Sequence, residues 1–210
     1  MQYVFLHGLG QGLASWEKVL DCLPIPPQAC RSPGLAGLLP AGTDHTYPRL
    51  YEAFQGYCAK FPEPLALCGL SLGGVLALHF AIEHPTRVRA LTLIGTPYKM
   101  PLGLLRVQNG LFRLMPQGAF HQTGFVKAGF LSLCRSMQRL DFTGSLKGAS
   151  CPALVLVGEK DRANRRAAET LAALLPDGRF AVVPQAGHEV NTDQPERLAK
   201  LLSGFWQGAL

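Results

Sequence analysis

The sequence predicts a three-layer α/β domain: a mostly parallel sheet of about six strands flanked by helices, with a short helical insert between two strands. Three observations carry this. Short β-type runs alternate with helical patterns, which implies parallel pairing through right-handed crossovers. Runs such as Leu154-Val155-Leu156-Val157 are apolar at every position, as strands covered on both faces are. Between Ile94 and Leu154 the alternation stops for about 60 residues, too long for a plain crossover.

Tyr3-Val4-Phe5-Leu6 reads as a buried first strand, closed by His7-Gly8-Leu9-Gly10. A helix is expected over Ala14 to Leu23 and a short strand over Gln28 to Cys30. Pro48 suits the first turn of a helix reaching Phe61, because its missing N–H would be unpaired there anyway. The apolar residues Leu50, Tyr51, Phe54, Tyr57 and Cys58 fall at helical spacing along it. Leu65 to Cys68 is the next strand and Leu72 to Glu83 the next helix. Strands follow at Leu91 to Ile94, Leu154 to Val157 and Phe180 to Val183, with helices over Asn164 to Leu175 and Pro195 to Phe205.

The interrupted stretch holds two amphipathic patterns. Leu104, Leu105, Gln108, Leu111, Phe112 and Met115 share one face of the first. Phe125, Val126, Gly129, Phe130, Leu133, Cys134 and Met137 share one face of the second, with Ser132, Arg135 and Arg139 opposite. The expected organisation is a core from residues 1–97 and 151–210, with residues 98–150 forming a helical lid over the sheet's carboxyl edge.

Composition excludes several classes. With 48% hydrophobic and 16% charged residues, disorder is out. None of the six cysteines forms a Cys-x-x-Cys pair, so zinc ribbons and thioredoxin-like redox sites are out. The start of the chain has no basic stretch and only a four-residue apolar run, so no signal peptide is expected. The uncharged stretch from Pro64 to Ile82 is broken by Gly69, Ser71, Gly73, Gly74 and His79, which argues against membrane insertion. A cytoplasmic location with reduced thiols follows as the expectation.

The formal charge of +6 is localised. From Tyr98 to Ser150 there are seven basic residues (Lys99, Arg106, Arg113, Lys127, Arg135, Arg139 and Lys147) against one acid, Asp141, leaving thirteen of each sign elsewhere. The basicity therefore belongs to the insert. It reads as the solvated face of amphipathic helices, or as a surface that draws in anionic substrates. Nucleic acid is not expected, because the aromatics there sit at helical core spacing rather than among the basic residues.

The chemistry concentrates at Gly69-Leu70-Ser71-Leu72-Gly73-Gly74, directly after a strand and opening a helix. A sharp strand-to-helix turn lifts one side chain clear of the sheet and demands very small residues two before and two after, here Gly69 and Gly73. Ser71 is the candidate nucleophile. Leu72 places a backbone N–H at the helix start, aimed at an oxyanion. A serine needs a base. His188 follows the last strand in Gln185-Ala186-Gly187-His188, on the same sheet edge as Ser71. His79 and His84 read as structural, while His45 and His121 have no nameable partner. The base needs a carboxylate, and Asp161 follows a strand in Gly158-Glu159-Lys160-Asp161. Glu159, Asp141 and Glu189 are the other carboxylates to weigh, and Asp161 itself could be a helix N-cap. The loop His7-Gly8-Leu9-Gly10 offers Leu9 N–H as a second oxyanion donor, with Gly8 allowing close approach and His7 shaping the loop by hydrogen bonding.

With these motifs the chain resembles a small member of the α/β-hydrolase superfamily, of the compact bacterial esterase-like kind with a short helical lid. His-Gly-Leu-Gly at 7–10, the turn at 69–74, Glu83-His84-Pro85, Gly-x-x-Asp at 158–161, and Gly187-His188 followed by Pro195-Glu196 match its pattern in order over nearly the whole chain. The resemblance implies Ser71, Asp161 and His188 as a catalytic triad, Leu9 and Leu72 as the oxyanion hole, a small-molecule acyl substrate, and no cofactor or metal. Two departures stand out: the superfamily's amino-terminal hairpin is missing before the first strand, and Glu189 follows the histidine.

The same triad can support thioester hydrolysis, acyl transfer, carbon–carbon bond hydrolysis or perhydrolysis. A ligand receptor with slow or no turnover would usually have lost a triad residue, and all three are present. Aminopeptidase activity would need acidic residues in the insert to hold a substrate amine, and the charge there has the opposite sign.

Overall fold

The computed structural model describes residues 1–40, 43–100, 110 and 112–209. Six strands form one sheet: β1 (Gln2–Leu6), β2 (Cys30–Arg31), β3 (Leu65–Leu70), β4 (Val88–Ile94), β5 (Ala153–Gly158) and β6 (Gly178–Val183). Their spatial order is β2-β1-β3-β4-β5-β6, and every pairing is parallel. The helices are α1 (Glu17–Asp21), α2 (Leu35–Leu38), α3 (Tyr47–Cys58), α4 (Leu72–Glu83), α5 (Lys127–Ser136), α6 (Arg162–Leu174), α7 (Val190–Asp193) and α8 (Pro195–Ala209).

Strand side chains alternate between two cores, as the pleat requires. Val4, Leu67, Leu93 and Val155 face α3, α4 and α6. Phe5, Cys68, Ile94 and Leu156 face Trp16, Val19 and the apolar stripe Leu198, Leu202, Phe205 and Trp206 of α8. Trp16 is fully buried, its ring 5.4 Å from that of Phe5. Burying one such side chain is worth roughly 1.5–3 kcal/mol. Helix α4 is buried over Leu72–Leu78, where the sheet, α3 and the insert enclose it, and carries its polar residues His79 and Glu83 toward its end.

Several boundaries differ from expectation: β4 begins at Val88 and α8 runs on to Ala209, and three further differences lie in the first part of the chain. β2 starts at Cys30 rather than Gln28 because Pro27–Ala29 forms a 3-10 turn. The first helical stretch opens as 3-10 over Leu13–Trp16 before becoming α1. The helix after Thr46 takes in Tyr47, places Pro48 in its first turn, and ends at Cys58.

The ends of the insert are tied together. Lys99 and Asp141 form an antiparallel bridge, flanked by Met100 N–H to the Leu140 carbonyl (3.0 Å) and Phe142 N–H to the Tyr98 carbonyl (2.9 Å). The Lys99 ammonium also pairs with Asp141 at 3.0 Å. Within the insert, α5 turns Phe130, Leu133 and Cys134 inward and leaves Arg135 in water. Val126 departs from the expected stripe: it precedes the helix and is exposed. The Phe130 ring stands edge-on to Phe112 (4.9 Å) and Phe120 (4.8 Å). The expected first helix of the insert lies largely outside the described residues; of its face, Phe112 packs inward and Met115 is at the surface. The Ser136 hydroxyl accepts Tyr47 N–H at 2.8 Å, tying α5 to α3.

All six cysteines are free thiols. Burial pushes Cys58 and Cys134 up to about 12 and Cys151 up to about 11, so they remain protonated core groups at neutral pH. Among the described residues, no helix is long and apolar enough to cross a membrane.

Sheet register places the functional loops. Leu6 pairs with Gly69, Leu70 with Ile94, Ile94 with Leu156, and Gly158 with Val183. The loops after β1, β3, β4, β5 and β6 therefore emerge side by side at the carboxyl edge. The chain reverses its direction of winding between β1 and β3, and the crevice at such a switch point is where open α/β sheets bind ligands.

Candidate active site

β3 ends at Leu70, and Ser71 adopts φ 51° and ψ −113°, outside the regions an L-residue prefers. Residues held this way cluster at functional sites because surrounding structure must over-determine them. Two contacts do so here: Ser71 N–H donates to the Ile94 carbonyl (2.8 Å), and the Ser71 carbonyl accepts Val75 N–H (2.9 Å). The glycine requirement is steric. A β-carbon on Gly69 would run into the Gly73 backbone, and one on Gly73 would run into the Leu6 carbonyl. Leu72 opens α4, and a first-turn amide has no intrahelical acceptor.

His188 and Asp161 meet at the same edge. His188 Nδ1 lies 2.7 Å from Asp161 Oδ2, with the Asp161 side chain 6% exposed and that of His188 41%. Since the carboxylate only accepts, Nδ1 carries the proton, and Nε2 of the neutral ring is the basic nitrogen. Burial alone would raise the Asp161 pKa. Hydrogen bonds from His188 and Asn164 outweigh it and hold the carboxyl below its ordinary value. Asp161 also caps α6: its Oδ1 accepts Asn164 N–H at 3.3 Å. The other three carboxylates are engaged elsewhere. Glu159 accepts Gln185 N–H (2.8 Å), Asp141 binds Lys99 and Thr143, and Glu189 accepts the Thr192 hydroxyl.

The His7–Gly10 loop lies beside Ser71; a β-carbon on Gly8 would be 3.7 Å from that of Ser71. His7 Nε2 accepts Leu35 N–H (3.1 Å), so Nδ1 carries the proton and donates to the Gly8 carbonyl (2.8 Å). Burial lowers the His7 pKa, against a smaller upward pull from that carbonyl, and keeps the ring neutral. The Gly8 carbonyl also accepts Gln11 N–H (3.1 Å). The Gly8–Leu9 peptide is trans, so Leu9 N–H points antiparallel to the Gly8 carbonyl, away from those donors.

Ser71 is held one residue from Gly95, through the Ile94 carbonyl, and Gly95 backs the His188 ring. The hydrogen bond of the ring's Nδ1 goes to Asp161. A strained serine, a carboxylate-held histidine and a glycine loop thus converge on one sheet edge, and a model of the alpha/beta hydrolase family matches residues 3–201.

The chain belongs to the α/β-hydrolase family.

Relatives of this α/β-hydrolase include a pimeloyl-[acyl-carrier protein] methyl ester esterase from Aromatoleum aromaticum, 28% identical, with 98% of each chain covered. The biotin biosynthesis bifunctional protein BioHC of Cellvibrio japonicus is 26% identical over 97% of this chain, which spans only 47% of that longer protein. Among solved structures, the enol-lactonase from Burkholderia xenovorans superposes with a TM-score of 0.82 at 19% identity, covering 98% of this chain and 91% of that one.

Two residues of the candidate site gave no sequence signal. Asn164 Nδ2 donates to both Asp161 oxygens (2.9 Å each) and stands 3.3 Å from His188 Nδ1, bracing the pair. Gly95, at φ 52°, carries no β-carbon where one would press on the His188 ring. The remaining histidines are occupied away from this pair. His79 stacks on Tyr51 at 3.7 Å and contacts Tyr47 and Glu83, and His84 accepts from Gln55 (2.9 Å). His45 stands edge-on to Phe125, and His121 is exposed.

Proposed function

We propose that the chain is a serine esterase in which Ser71 attacks the carbonyl of a carboxylic ester, His188 is the base and Asp161 fixes the base's tautomer. The observation that carries this is the 2.7 Å Asp161–His188 hydrogen bond, which leaves Nε2 basic, at the sheet edge where Ser71 stands on its strained turn. In the reaction, Nε2 takes the Ser71 hydroxyl proton as Oγ bonds to the carbonyl carbon. Asp161 stabilises the imidazolium without taking its proton. The Leu9 and Leu72 amides hold the oxyanion, a role typically worth about 3–4 kcal/mol per donor. The tetrahedral adduct collapses, and Nε2–H protonates the departing alcohol. Water, deprotonated by the same nitrogen, then attacks the acyl-enzyme and releases the acid and free Ser71.

Residues 98–150 are the lid in this reading. Their aromatic interior around Phe112, Phe120 and Phe130 faces the core, and among the described residues Lys99, Arg113, Arg135, Arg139 and Lys147 are exposed. That charge favours an acyl group carried on, or ending in, an anion. The Aromatoleum aromaticum relative, named for a methyl ester on an acyl-carrier protein, agrees with this finer reading.

The test is intact-mass labelling with a fluorophosphonate. Rapid single-site labelling of the wild type, lost in Ser71→Ala and His188→Ala, is expected. A folded wild type that stays unlabelled refutes the assignment.

A further inference from the structure

Two buried side-chain amides face each other beside the triad. Gln11 follows the His7–Gly10 loop, and Asn191 lies in α7, three residues after His188. Gln11 Nε2 donates to Asn191 Oδ1 (3.0 Å), and Asn191 Nδ2 donates back to Gln11 Oε1 (3.1 Å). Gln11 is 7% exposed and Asn191 0%. Each amide has one further bond, and each reaches a different backbone. Gln11 Oε1 accepts Gly8 N–H (3.3 Å), while Asn191 Nδ2 donates to the Ser15 carbonyl (3.0 Å).

We propose that the Gln11–Asn191 pair is a positioning element that sets the Leu9 amide relative to the His188 ring. The proposal rests on the triad reading above. The Gly8 carbonyl is already fixed by His7 and Gln11 N–H, and its own N–H is fixed by the Gln11 side chain. Gln11 thus touches both peptide planes flanking Gly8, the Gly8–Leu9 plane through its backbone N–H beside His7, and the His7–Gly8 plane through the side chain that Asn191 holds. On the other side, Asn191 is joined to His188 through only Glu189 and Val190. Val190 is fully buried, and the Asp193 carboxylate accepts Gly187 N–H (2.6 Å) just before the histidine. The base loop is thus pinned on both sides of His188.

An apolar pair of the same volume would also fill this space. What the reciprocal amide ring adds is direction: two antiparallel hydrogen bonds fix distance and plane together, where apolar packing lets two loops slide. A buried network with every member satisfied rigidifies and specifies one arrangement. Keeping an oxyanion donor and a base in register is where such rigidity acts on rate, since about 1 Å of misplacement can cost about 10²-fold.

The experiment uses Gln11→Ala, Asn191→Ala and the double variant, with p-nitrophenyl acetate and a fluorophosphonate as probes and a melting curve for each protein. Each single variant is expected to lower kcat by about 10- to 100-fold with KM within about threefold, and to slow Ser71 phosphonylation by the same factor. The double variant should lose no more than the worse single, because the pair acts as one unit. Folded single variants that react at wild-type rates overturn the proposal, as do single losses that multiply in the double. If Asn191→Ala does not fold, Gln11→Ala decides by the same split between kcat and KM. A wild type that is not labelled, or a Ser71→Ala variant that is, refutes the triad reading itself and takes this proposal with it.

Discussion

Gly95→Ala separates the position of the His188 ring from the stability of the fold. A β-carbon at Gly95 would lie 2.9 Å from His188 Cε1 and 3.0 Å from Nδ1. Ordinary contact between carbons is about 3.5–4.0 Å, so the ring must retreat by roughly 0.5–1 Å. The backbone cost is modest. Alanine at φ 52° costs about 1–2 kcal/mol, which in a chain of this length lowers Tm by roughly 2–8 °C. The catalytic cost is larger. Retreat of the ring changes the 2.7 Å bond to Asp161 and moves Nε2 relative to Ser71. About 1 Å of misplacement corresponds to about 10²-fold in rate, or about 2.7 kcal/mol of barrier. The assay is ester turnover and phosphonylation rate at 25 °C, where the variant remains folded, beside its melting curve. A variant whose Tm falls as expected while turnover stays within about threefold of wild type would show that the reaction does not depend on the ring being where it is.

Three further outcomes follow from the same geometry. Asp161→Asn keeps the volume but turns an N–H toward His188 Nδ1, favouring the wrong tautomer; kcat should fall by about 10⁴-fold with the melting curve little changed, and a loss under tenfold would sink the assignment. Gly73→Ala drives a β-carbon into the Leu6 carbonyl, where neither strand nor helix can give way, so it should cost about 3 kcal/mol or more, read as a lowered urea midpoint. His7 is held neutral, so its folded pKa lies below the unfolded value of 6.5. As pH falls, the unfolded chain takes up this proton first; His7's contribution is full above about 6.5 and declines below it by at most about 1.4 kcal/mol per pH unit. Urea midpoints at pH 7.5 and 5.5 should differ more for wild type than for His7→Gln, and equal differences would remove His7 as the cause.

Those parts of the fold whose signal is periodic were legible in the sequence. Strand runs such as Leu154-Val155-Leu156-Val157 are apolar on both faces because two separate cores sit on the sheet, and that composition can be read without knowing either core. Helices α2 and α7 were not legible. Each has four residues, about one turn, so no period exists to detect. Their making is tertiary: Leu35 N–H is received by His7, and Val190 is seated in the core under α8. Val126 was misplaced for the opposite reason. It fits the helical stripe by spacing, but the helix begins one residue later, and an N-cap position does not share the helix's face.

The site divides along the same line. The turn at Ser71 is local, and a glycine two residues to each side of a serine, between a strand and a helix, states its geometry in the sequence itself. Asp161 is the instructive case, because its two sequence readings, helix N-cap and histidine partner, looked like rivals. A carboxylate has two oxygens. Oδ1 caps α6 through Asn164 N–H while Oδ2 receives His188, so capping is what aims the second oxygen. Asn164, Gly95, Gln11 and Asn191 act only through contacts that the fold creates, across 24 residues for Asn164 with His188 and 180 for Gln11 with Asn191. No local pattern announces such residues. In the proposed site they would set distances rather than chemistry, which is why the proposed reacting groups can be read from the chain while the groups that position them have to be read from the fold.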